Sequence, residues 1–310
     1  MTQKKQTEFI MIGGLPGAGK STIIEDNRKF LPHEYIIISS DAVREEVYGS
    51  AEIQGDNSVL FDIIHSKILE NLSNGSSVVF DATNLSRKHR VSLLQKVKSI
   101  GNVNSSYHLI ATSFSKCLER NENRERKVPT HVIKRMRESF NVPLKSEGWD
   151  NIFLTFDYDN SEYNATRYIN QLNGYNQQNP HHFHSLGEHM TAVQIKAVNK
   201  MPREPIIFWA SLLHDCGKPY TKTFRDKNGI LKETASYYNH ENVGAYESLF
   251  FMDEHFEKTD CLLDAATLIE FHMRPYFAKS EKAKQKIKNL IGEDLYYMLE
   301  ILHEADKESH

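Results

Sequence analysis

The chain has 310 residues, of which 39% are hydrophobic and 25% are charged, and its formal net charge is −3. That composition is typical of an ordinary globular protein. The length favours two domains over one. The slightly negative charge excludes a basic coat for nucleic acid, so any contact with nucleic acid has to be a local patch.

The cysteines are scattered along the chain and odd in number: Cys117, Cys216 and Cys261. This usage is typical of proteins in a reducing compartment and argues against a framework of disulfide bonds. Because no apolar run is long enough to span a bilayer, no membrane partner is expected. We therefore expect a cytoplasmic protein.

Short apolar runs alternate with amphipathic stretches in the first half of the chain. The runs that predict buried strands lie near residues 9–12, 35–39, 78–80, 107–111 and 151–156. This alternation predicts an α/β domain over residues 1–172, with a parallel sheet and flanking helices. In such a domain, ligands bind at the carboxyl ends of the strands.

A glycine-rich stretch follows the first predicted strand and matches G-x-x-x-x-G-K-[ST], the phosphate-binding P-loop pattern. Glycines let several backbone N–H groups point at one anion, and the helix that follows adds partial positive charge. The pattern predicts a site for ATP, or another nucleoside triphosphate, with Mg²⁺. A turn whose glycines only tighten it is the alternative. The candidate residues are Gly14, Gly17, Gly19, Lys20 on the phosphates, Ser21 on Mg²⁺, and Thr22.

Two carboxylates follow the second and third predicted strands. Asp41 is placed to take a proton from an acceptor hydroxyl, and Arg44, one helical turn later, to bind an acceptor phosphate. Asp81 fits the strand-end acid that orients Mg²⁺. A helix cap is the alternative role for Asp41, because aspartate is a favoured N-cap residue.

A basic helical stretch is predicted between the fourth strand and Phe140. It contains Arg120, Arg124 and Arg126. Arginines beside a phosphoryl-transfer site predict a lid over the nucleotide. A solvated charged face is the usual alternative for such a run.

Four motifs in this half resemble, in order, those of the polynucleotide kinase branch of the P-loop phosphotransferases. They are Gly14 to Thr22, Asp41-x-x-Arg44, Asp81-Ala82-Thr83-Asn84, and Arg120-Asn121…Arg124…Val128-Pro129 followed by Val132-Ile133-x-Arg135-Met136. The resemblance covers about residues 9–156. It implies that Asp41 is the general base on a 5′-hydroxyl and that Arg44 binds the 3′-phosphate of the acceptor. A lid arginine clamps the donor phosphates in that family; Arg124 is the best match and Arg126 the alternative.

Beyond a polar linker at residues 173–182 the pattern becomes mainly helical. Amphipathic stretches lie near residues 186–200, 205–214, 241–255, 262–272 and 294–305. Two short runs flank Asp226-Lys227-Asn228-Gly229, which predicts a small β-hairpin with an Asn-Gly turn. We expect an all-α second domain with this hairpin over residues 183–310.

Histidines are concentrated in the second half, where several stand beside carboxylates on or next to predicted helices. Imidazoles mixed with carboxylates suit Mn²⁺, Fe²⁺, Ni²⁺, Co²⁺ or Zn²⁺ better than Ca²⁺. Each histidine taken alone has the alternative of an ordinary core or surface residue. The candidate ligands are His189, His214, Asp215, His240, His272 and Asp306.

This set resembles the HD-domain phosphohydrolases, a helical superfamily named for its His-Asp pair. The matching motifs are Glu188-His189, His214-Asp215-x-Gly217-Lys218, His240-Glu241, His272 and Ala305-Asp306. The resemblance implies one metal held by His189, His214, Asp215 and Asp306. It implies a second metal, bridged by Asp215, in members that carry the counterparts of His240 and His272.

The same resemblance implies hydrolysis of a phosphoester by a water that the metal activates, with Lys218 near the phosphate. His182 also has the spacing of a site histidine in some relatives. Whether one or two divalent ions bind is left open by the sequence, and two is the favoured prediction.

The two halves together resemble bifunctional kinase–HD enzymes that heal nucleic-acid ends, here with the kinase domain first. The resemblance implies phosphorylation of 5′-hydroxyl ends and hydrolysis of 2′,3′-cyclic or 2′/3′-phosphate ends of RNA or DNA. The expected partners are nucleic-acid ends, such as those of broken tRNA, and a separate ligase. The alternatives are a small-molecule or nucleoside kinase fused to an HD nucleotidase, and a kinase with a non-catalytic tRNA-binding HD tail.

Overall fold

The computed structural model describes residues 6–27, 35–53, 55–179 and 183–309. The chain divides into two compact units, of which the first comprises Met1–Met136 and Glu147–Tyr158 and the second Arg137–Ser146 and Asp159–His310. In the described part of the chain, no helix has both the length and the apolar character needed to cross a membrane.

A five-stranded parallel sheet forms the centre of the first unit, as the alternating pattern predicts. The strand order is β2-β3-β1-β4-β5. The central strands are buried, and residues such as Phe9 and Val78 have no exposed surface. The strands are β1 (Thr7–Gly13), β2 (Ile36–Ser39), β3 (Val78–Asp81), β4 (Val103–Thr112) and β5 (Asn151–Asp157).

The register of this sheet brings the predicted kinase motifs to one edge. Asp81 pairs with Ile12 on β1 and with Ser39 on β2. The glycine-rich loop follows β1 directly, and Asp41 lies two residues after Ser39. The carboxyl ends of three neighbouring strands therefore present all these groups together, as expected for a parallel sheet.

Helices connect the strands of the first unit. They are α1 (Lys20–Asn27), α2 (Ser40–Tyr48), α3 (Asn57–Ser73), α4 (Arg87–Lys98), α5 (Phe114–Glu122) and α6 (Thr130–Glu138). A single helical stretch from the fourth strand to Phe140 was the prediction, and it is wrong between α5 and α6. The side-chain amide of Asn121 donates to the carbonyl oxygen of Val128 and accepts from its N–H, each at 2.9 Å. These two bonds close a loop over residues 123–129. Pro129 cannot supply a helical N–H.

The second unit is helical apart from one hairpin, as predicted. Its α-helices are α7 (Ala165–Leu172), α8 (Leu186–Lys200), α9 (Pro205–Leu213), α10 (Lys218–Thr221), α11 (His240–Met252), α12 (Thr259–Phe271), α13 (Arg274–Phe277), α14 (Glu281–Ile291) and α15 (Glu293–Lys307). Helices α11 and α12 are apolar and buried on nearly all sides, which is typical of helices in the centre of a bundle.

The hairpin consists of β6 (Lys222–Arg225) and β7 (Leu231–Tyr237), which pair in antiparallel fashion. Asp226 holds the turn, because its carboxylate accepts from the backbone N–H groups of Asn228 and Ile230 at 2.8 Å each. Gly229 adopts a φ of 85°, which a side chain would disfavour.

Two segments that precede the predicted linker pack within the second unit. Arg137 forms a 2.6 Å ion pair with Glu247 of α11, and both side chains are almost fully buried. The backbone N–H of Val142 donates to Glu270 of α12 at 2.7 Å. Tyr163 also donates to Glu247, at 2.9 Å. Residues 159–172 thus pack with the helical unit, whereas the sequence analysis assigns them to the first domain. The functional boundary between the domains stays a prediction.

Candidate active sites

The glycine-rich loop needs glycine for steric reasons. A Cβ atom on Gly17 would lie 2.4 Å from the carbonyl oxygen of Cys117, and the φ of Gly17 is 84°. Gly19 has a φ of 87°. The N–H of Gly14 donates to the backbone carbonyl of Thr83 at 2.9 Å. The loop therefore holds a conformation that ordinary residues disfavour, as expected where a backbone approaches phosphates closely.

Lys20, the first residue of α1, folds its side chain back over this loop. Its Nζ donates to the carbonyl oxygens of Gly14 and Leu15, at 3.0 Å each. Burial lowers the pKa of Lys20, and the charge of Arg124 lowers it further, while Asp81 opposes the shift. A negatively charged phosphate in the loop would offset this destabilisation of the ammonium.

Ser21 and Asp81 meet at the position where a magnesium ion is expected. The hydroxyl of Ser21 donates to Asp81 Oδ2 at 3.1 Å. Burial raises the pKa of Asp81, and the charge of Lys20 opposes that rise. A serine hydroxyl beside a strand-end carboxylate is the donor set that holds Mg²⁺ in P-loop proteins, so these residues fit the ion. Thr22 is the next residue on α1 and is exposed.

Asp41 lies in the first turn of α2 and does not cap it. The N-cap is Ser39, whose side chain accepts from the backbone N–H of Asp41. Asp41 forms a 2.8 Å ion pair with Arg126, and its side chain is 54% exposed. The N-cap alternative for Asp41 is therefore excluded.

Arg44 is buried one turn after Asp41, and its exposed fraction is 8%. Its guanidinium donates to the side-chain oxygen of Asn57 at 3.3 Å and to the carbonyl of Ile53 at 3.4 Å. Asn57 begins α3, so this contact ties the cation to the start of the next helix.

The three predicted lid arginines have different surroundings. Arg120 is on α5, pairs with Asp157 at 2.6 Å, and has a guanidinium nitrogen 3.6 Å from the position of a Cβ on Gly19. Arg126 pairs with Asp41, the predicted general base. Arg124 affects the pKa of Lys20, so its charge lies near the loop that is expected to hold the donor phosphates.

The six candidate ligands in the second unit converge. They form two groups, each with ligand atoms within 4.8 Å of one another, and every member is buried: His189, His214 and Asp306 in one group, and Asp215, His240 and His272 in the other. Three of the histidines lie at the ends of central helices. His214 follows α9, His240 begins α11 and His272 follows α12.

Each of these histidines is oriented by a backbone carbonyl. The Nδ1 atoms lie within 2.7–2.8 Å of a carbonyl oxygen in His214, His240 and His272, and within 3.3 Å in His189. Since a carbonyl only accepts, Nδ1 carries the proton and the lone pair is on Nε2. All four Nε2 atoms are therefore available as ligands, which is the usual arrangement at metal sites.

The Nε2 atoms face one another in pairs. His189 and His214 bring theirs to 3.2 Å, and His240 and His272 do the same. Two neutral imidazoles with Nδ1 protonated would direct two lone pairs at each other, which is repulsive unless a proton or a cation lies between them. The donor set thus fits divalent metal ions, and it fits them at two positions.

Asp215 connects the two groups through different oxygen atoms. Its Oδ2 lies 3.3 Å from His214 Nε2 and 3.5 Å from His189 Nε2. Its Oδ1 lies 3.2 Å from His240 Nε2 and 3.6 Å from His272 Nε2. One carboxylate oxygen thus serves each group, which is the geometry of a bridging ligand.

The electrostatics of this cluster favour ionised carboxylates. Burial alone would raise the pKa of Asp215, but the charges of Lys218 and His214 outweigh it and hold that pKa well below its usual value. The pKa of Asp306 is lowered in the same way, because hydrogen bonding with His189 outweighs burial. Burial acts to lower the pKa of His189, but its bonds to Asp215 and Asp306 raise it to about 9. His189 therefore holds a proton between its ring and the two carboxylates, and a bound metal ion would replace that proton at Nε2.

A cleft of about 700 Å³ opens onto this cluster and is lined by Asp215, His240, His272 and Asp306 among others. Lys218 also lines it, and its Nζ lies 2.7 Å from Asp215 Oδ2 and 2.9 Å from the side-chain oxygen of Gln177. The lysine is therefore near the cluster and contacts both of these side chains, and its expected role near the phosphate stays a prediction.

Two side chains in this site were not found from the sequence. Gln177 binds Lys218, and Tyr276 donates to Asp306 Oδ2 at 2.8 Å. Tyr276 has one local signal, because it follows His272 by only four residues. Gln177 lies in the polar stretch interpreted as a linker and has no such signal. His182 lies outside the described residues.

Comparison with known proteins divides the chain in the same way. A family model described as an AAA domain matches residues 9–143. A second family model, the HD domain, matches residues 184–308. The matched order places the P-loop part first.

Among curated proteins, an L-seryl-tRNA(Sec) kinase from Methanococcus maripaludis is 31% identical over 152 residues. The match covers 48% of this chain and 58% of that relative, so this chain spans little more than half of it.

Among solved structures, one titled as the Pnkp1/Rnl/Hen1 RNA repair complex has a TM-score of 0.35 and 18% identity, over 44% of each chain. A gluconokinase from Sinorhizobium meliloti 1021 also has a TM-score of 0.35, with 21% identity over 49% of this chain and 83% of its own.

Proposed function

We propose that this chain, a P-loop kinase domain followed by an HD domain, is a bifunctional enzyme that heals the broken ends of RNA. The observation that carries the proposal is that one chain contains both a phosphate-loop motif and a separate cluster of six candidate metal ligands. The first combines a phosphate loop with an acceptor-side Asp41 and Arg44. The second collects six buried metal ligands below a cleft.

In the kinase reaction, the residues of the first unit divide into a donor side and an acceptor side. The loop and Lys20 bind the phosphates of ATP, and Ser21 with Asp81 would hold Mg²⁺, which supplies charge neutralisation at the transferred phosphoryl group. Asp41 accepts the proton of a 5′-hydroxyl. Arg126 holds Asp41 when no acceptor is bound, and Arg44 receives the 3′-phosphate of the acceptor nucleotide.

In the hydrolytic reaction, the two groups of candidate ligands would each hold a divalent ion, and Asp215 offers one oxygen to each group. Such ions supply Lewis acidity and an activated water. Lys218 places its ammonium at the floor of the cleft, where it stabilises negative charge that develops on the phosphate. Tyr276 keeps Asp306 oriented toward the histidines. The substrates are 2′,3′-cyclic phosphate or 2′/3′-phosphate ends.

The chemistry of the two sites defines the further partners. Hydrolysis of a cyclic phosphate leaves a 2′- or 3′-phosphate, and a second hydrolysis releases inorganic phosphate and leaves a free hydroxyl. A 5′-phosphate and a free 3′-terminal hydroxyl are ends that a ligase can join, so a separate ligase acts next. Broken tRNA is the proposed physiological substrate. The three cysteines form no disulfide, which is consistent with action in the cytoplasm.

One alternative has a specific observation in its favour. The curated relative is named for a kinase that acts on a seryl group carried by tRNA. The acceptor hydroxyl of this chain would then belong to an aminoacyl-tRNA or a small molecule, and the HD domain would be a nucleotidase or a tRNA-binding tail. The complete set of six converging ligands argues against a non-catalytic tail.

Transfer of labelled phosphate from ATP tests the proposal. We expect transfer to a 5′-hydroxyl oligoribonucleotide, and little or none to seryl-tRNA or to a panel of nucleosides. The hydrolytic half is tested with the same oligonucleotide carrying a 2′,3′-cyclic phosphate, in Mn²⁺ and after treatment with a chelator. Preference for seryl-tRNA or a nucleoside would overturn the kinase half. Metal-independent or absent hydrolysis would overturn the HD half.

A further inference from the structure

One wall of the hydrolytic cleft comes from the hairpin, where the backbone carbonyl of Tyr237 orients His240. Strand β7 and the residue after it supply six of the cleft's lining residues: Lys232, Thr234, Ala235, Ser236, Tyr237 and Tyr238. No predicted metal ligand or catalytic residue lies among them. The cleft of about 700 Å³ extends along this wall beyond the candidate ligands and Lys218, so it has room for a substrate larger than a phosphate group.

The hairpin is basic although the whole chain is slightly acidic. Between Lys222 and Tyr238 it has four cationic residues, Lys222, Arg225, Lys227 and Lys232, and two acidic ones, Asp226 and Glu233. The carboxylate of Asp226 is used within the turn. Arg225, Lys227 and Lys232 are exposed. The hairpin is therefore the kind of local positive patch that contact with nucleic acid requires in this chain.

Aromatic rings lie between these cations. The Nζ of Lys222 lies 4.8 Å from the ring centroid of Tyr175 and 5.9 Å from that of Phe224. The Nζ of Lys227 lies 5.6 Å from the ring centroid of Tyr238. Phe224 is 37% exposed although it is a large apolar residue. Cations for the backbone and rings for the bases are the two elements of a surface that binds single-stranded nucleic acid.

We propose that the β6–β7 hairpin binds the single-stranded RNA that leads to the scissile phosphate, so that the HD domain acts on polymer ends in preference to free nucleotides. The lysines and Arg225 contact phosphates, and Phe224 and Tyr238 stack on bases. This inference rests on the proposed function, because it names the substrate class of the same hydrolytic site.

The test compares two substrates of the full chain that differ only in the attached strand. One is a 2′,3′-cyclic mononucleotide, and the other is an oligoribonucleotide that ends in a 2′,3′-cyclic phosphate and already carries a 5′-phosphate. We expect the wild-type KM to be about 10-fold or more lower for the oligonucleotide, the scale of one stacked base. In Arg225→Glu/Lys227→Glu, which alters two exposed cations that do not line the cleft, this advantage is lost, whereas the KM for the mononucleotide does not rise.

A control with the same charge change lies elsewhere in the second unit. Lys282→Glu/Lys286→Glu alters two exposed residues of α14, neither of which lines the cleft. It should retain the advantage for the oligonucleotide. Phe224→Ala tests stacking without a change in charge, and it should raise the KM for the oligonucleotide about 10-fold. The slope of log affinity against log salt should become about 0.7 shallower for each lost phosphate contact.

Equal effects of the hairpin variant on both substrates, or no effect on either, would overturn the inference; the latter result would leave the hairpin as a surface for a protein. If the wild type hydrolyses neither substrate, the proposed function fails separately. Binding of the labelled oligonucleotide then decides the inference, because binding needs no turnover and the first unit is unchanged in every variant. Weaker binding by the hairpin variant alone supports it, and equal binding by all variants overturns it.

Discussion

The two candidate sites of this chain are built in opposite ways. The nucleotide site depends on one contiguous motif whose backbone conformation and first helical residues provide most of the groups. The metal centre depends on side chains distributed from His189 to Asp306, on or next to helices α8, α9, α11, α12 and α15. Local geometry therefore determines the first site, and packing of a whole helical bundle determines the second.

The two sites also differ in how deeply their central carboxylates are buried. The side chain of Asp41, the proposed base of the first site, is 54% exposed and pairs with Arg126, which lies in the loop between α5 and α6. The side chain of Asp215 is 4% exposed and lies among four imidazoles and an ammonium. An open site suits the exchange of ATP and a polymer end, whereas a buried one suits ions that stay bound. The predictions below test this contrast.

The largest effect is expected from Lys20→Ala. The variant removes the ammonium that lies over the phosphate loop, so phosphoryl transfer should fall by about 10³–10⁵-fold, the range for a cation on the transferred group. Transfer from labelled ATP and hydrolysis of a cyclic-phosphate end are measured on the same preparation. Hydrolysis should be unchanged, and its loss in a folded variant would contradict the independence of the two sites.

Asp41→Asn should lower 5′-kinase activity by about 10²–10⁴-fold, because it removes the proposed general base. ATP binding, measured by calorimetry, should be retained, since Asp41 is on the acceptor side. Asp62→Asn, an exposed carboxylate of α3, is the matched control and should behave as wild type. Normal turnover in Asp41→Asn with only a lower melting temperature would assign Asp41 a structural role.

A substitution in one ligand group should remove one of the two proposed ions and leave the other bound. His240→Ala removes a ligand from the group of Asp215 and His272 only, so metal analysis should change from two ions per chain to one. An ion present at about 1,000 times its Kd stabilises the folded state by about 4 kcal/mol, so this variant should also lose part of the thermal stabilisation by Mn²⁺. A wild-type content of one ion would leave His240 and His272 without this role.

The smallest effect is expected from Tyr276→Phe. It removes one hydrogen bond to Asp306 and leaves all six ligands in place, so metal affinity or hydrolysis should fall by about 10–100-fold. Tyr297→Phe is the control, because Tyr297 is 59% exposed. Equal behaviour of the two variants would show that Tyr276 does not orient Asp306.

Local patterns in the sequence were enough for the five strands of the sheet and for the hairpin, but they did not predict α13 or α14. Alternating apolar runs predicted the five parallel strands, and an Asn-Gly turn predicted the hairpin, because both signals depend on residues close in the chain. The predicted continuous helix is wrong between α5 and α6 for a local reason that the composition of the segment does not reveal. A polar, basic run is compatible with a helix, but the side-chain amide of Asn121 closes a loop by binding the backbone of Val128.

The sequence by itself determined which residues are chemically competent and roughly where each stands along a helix or strand. Tertiary structure alone decided which atoms of those residues meet. The carbonyls that direct each Nε2 atom inward come from Ser211, Tyr237, Ile269 and Ser309, and no side-chain pattern marks them. The division of Asp215's two oxygens between the ligand groups, and the contact of Gln177 with Lys218, likewise arise from packing between distant segments. The physical reason is that motifs record residue type and spacing, whereas coordination depends on the directions in which buried helices are held against one another.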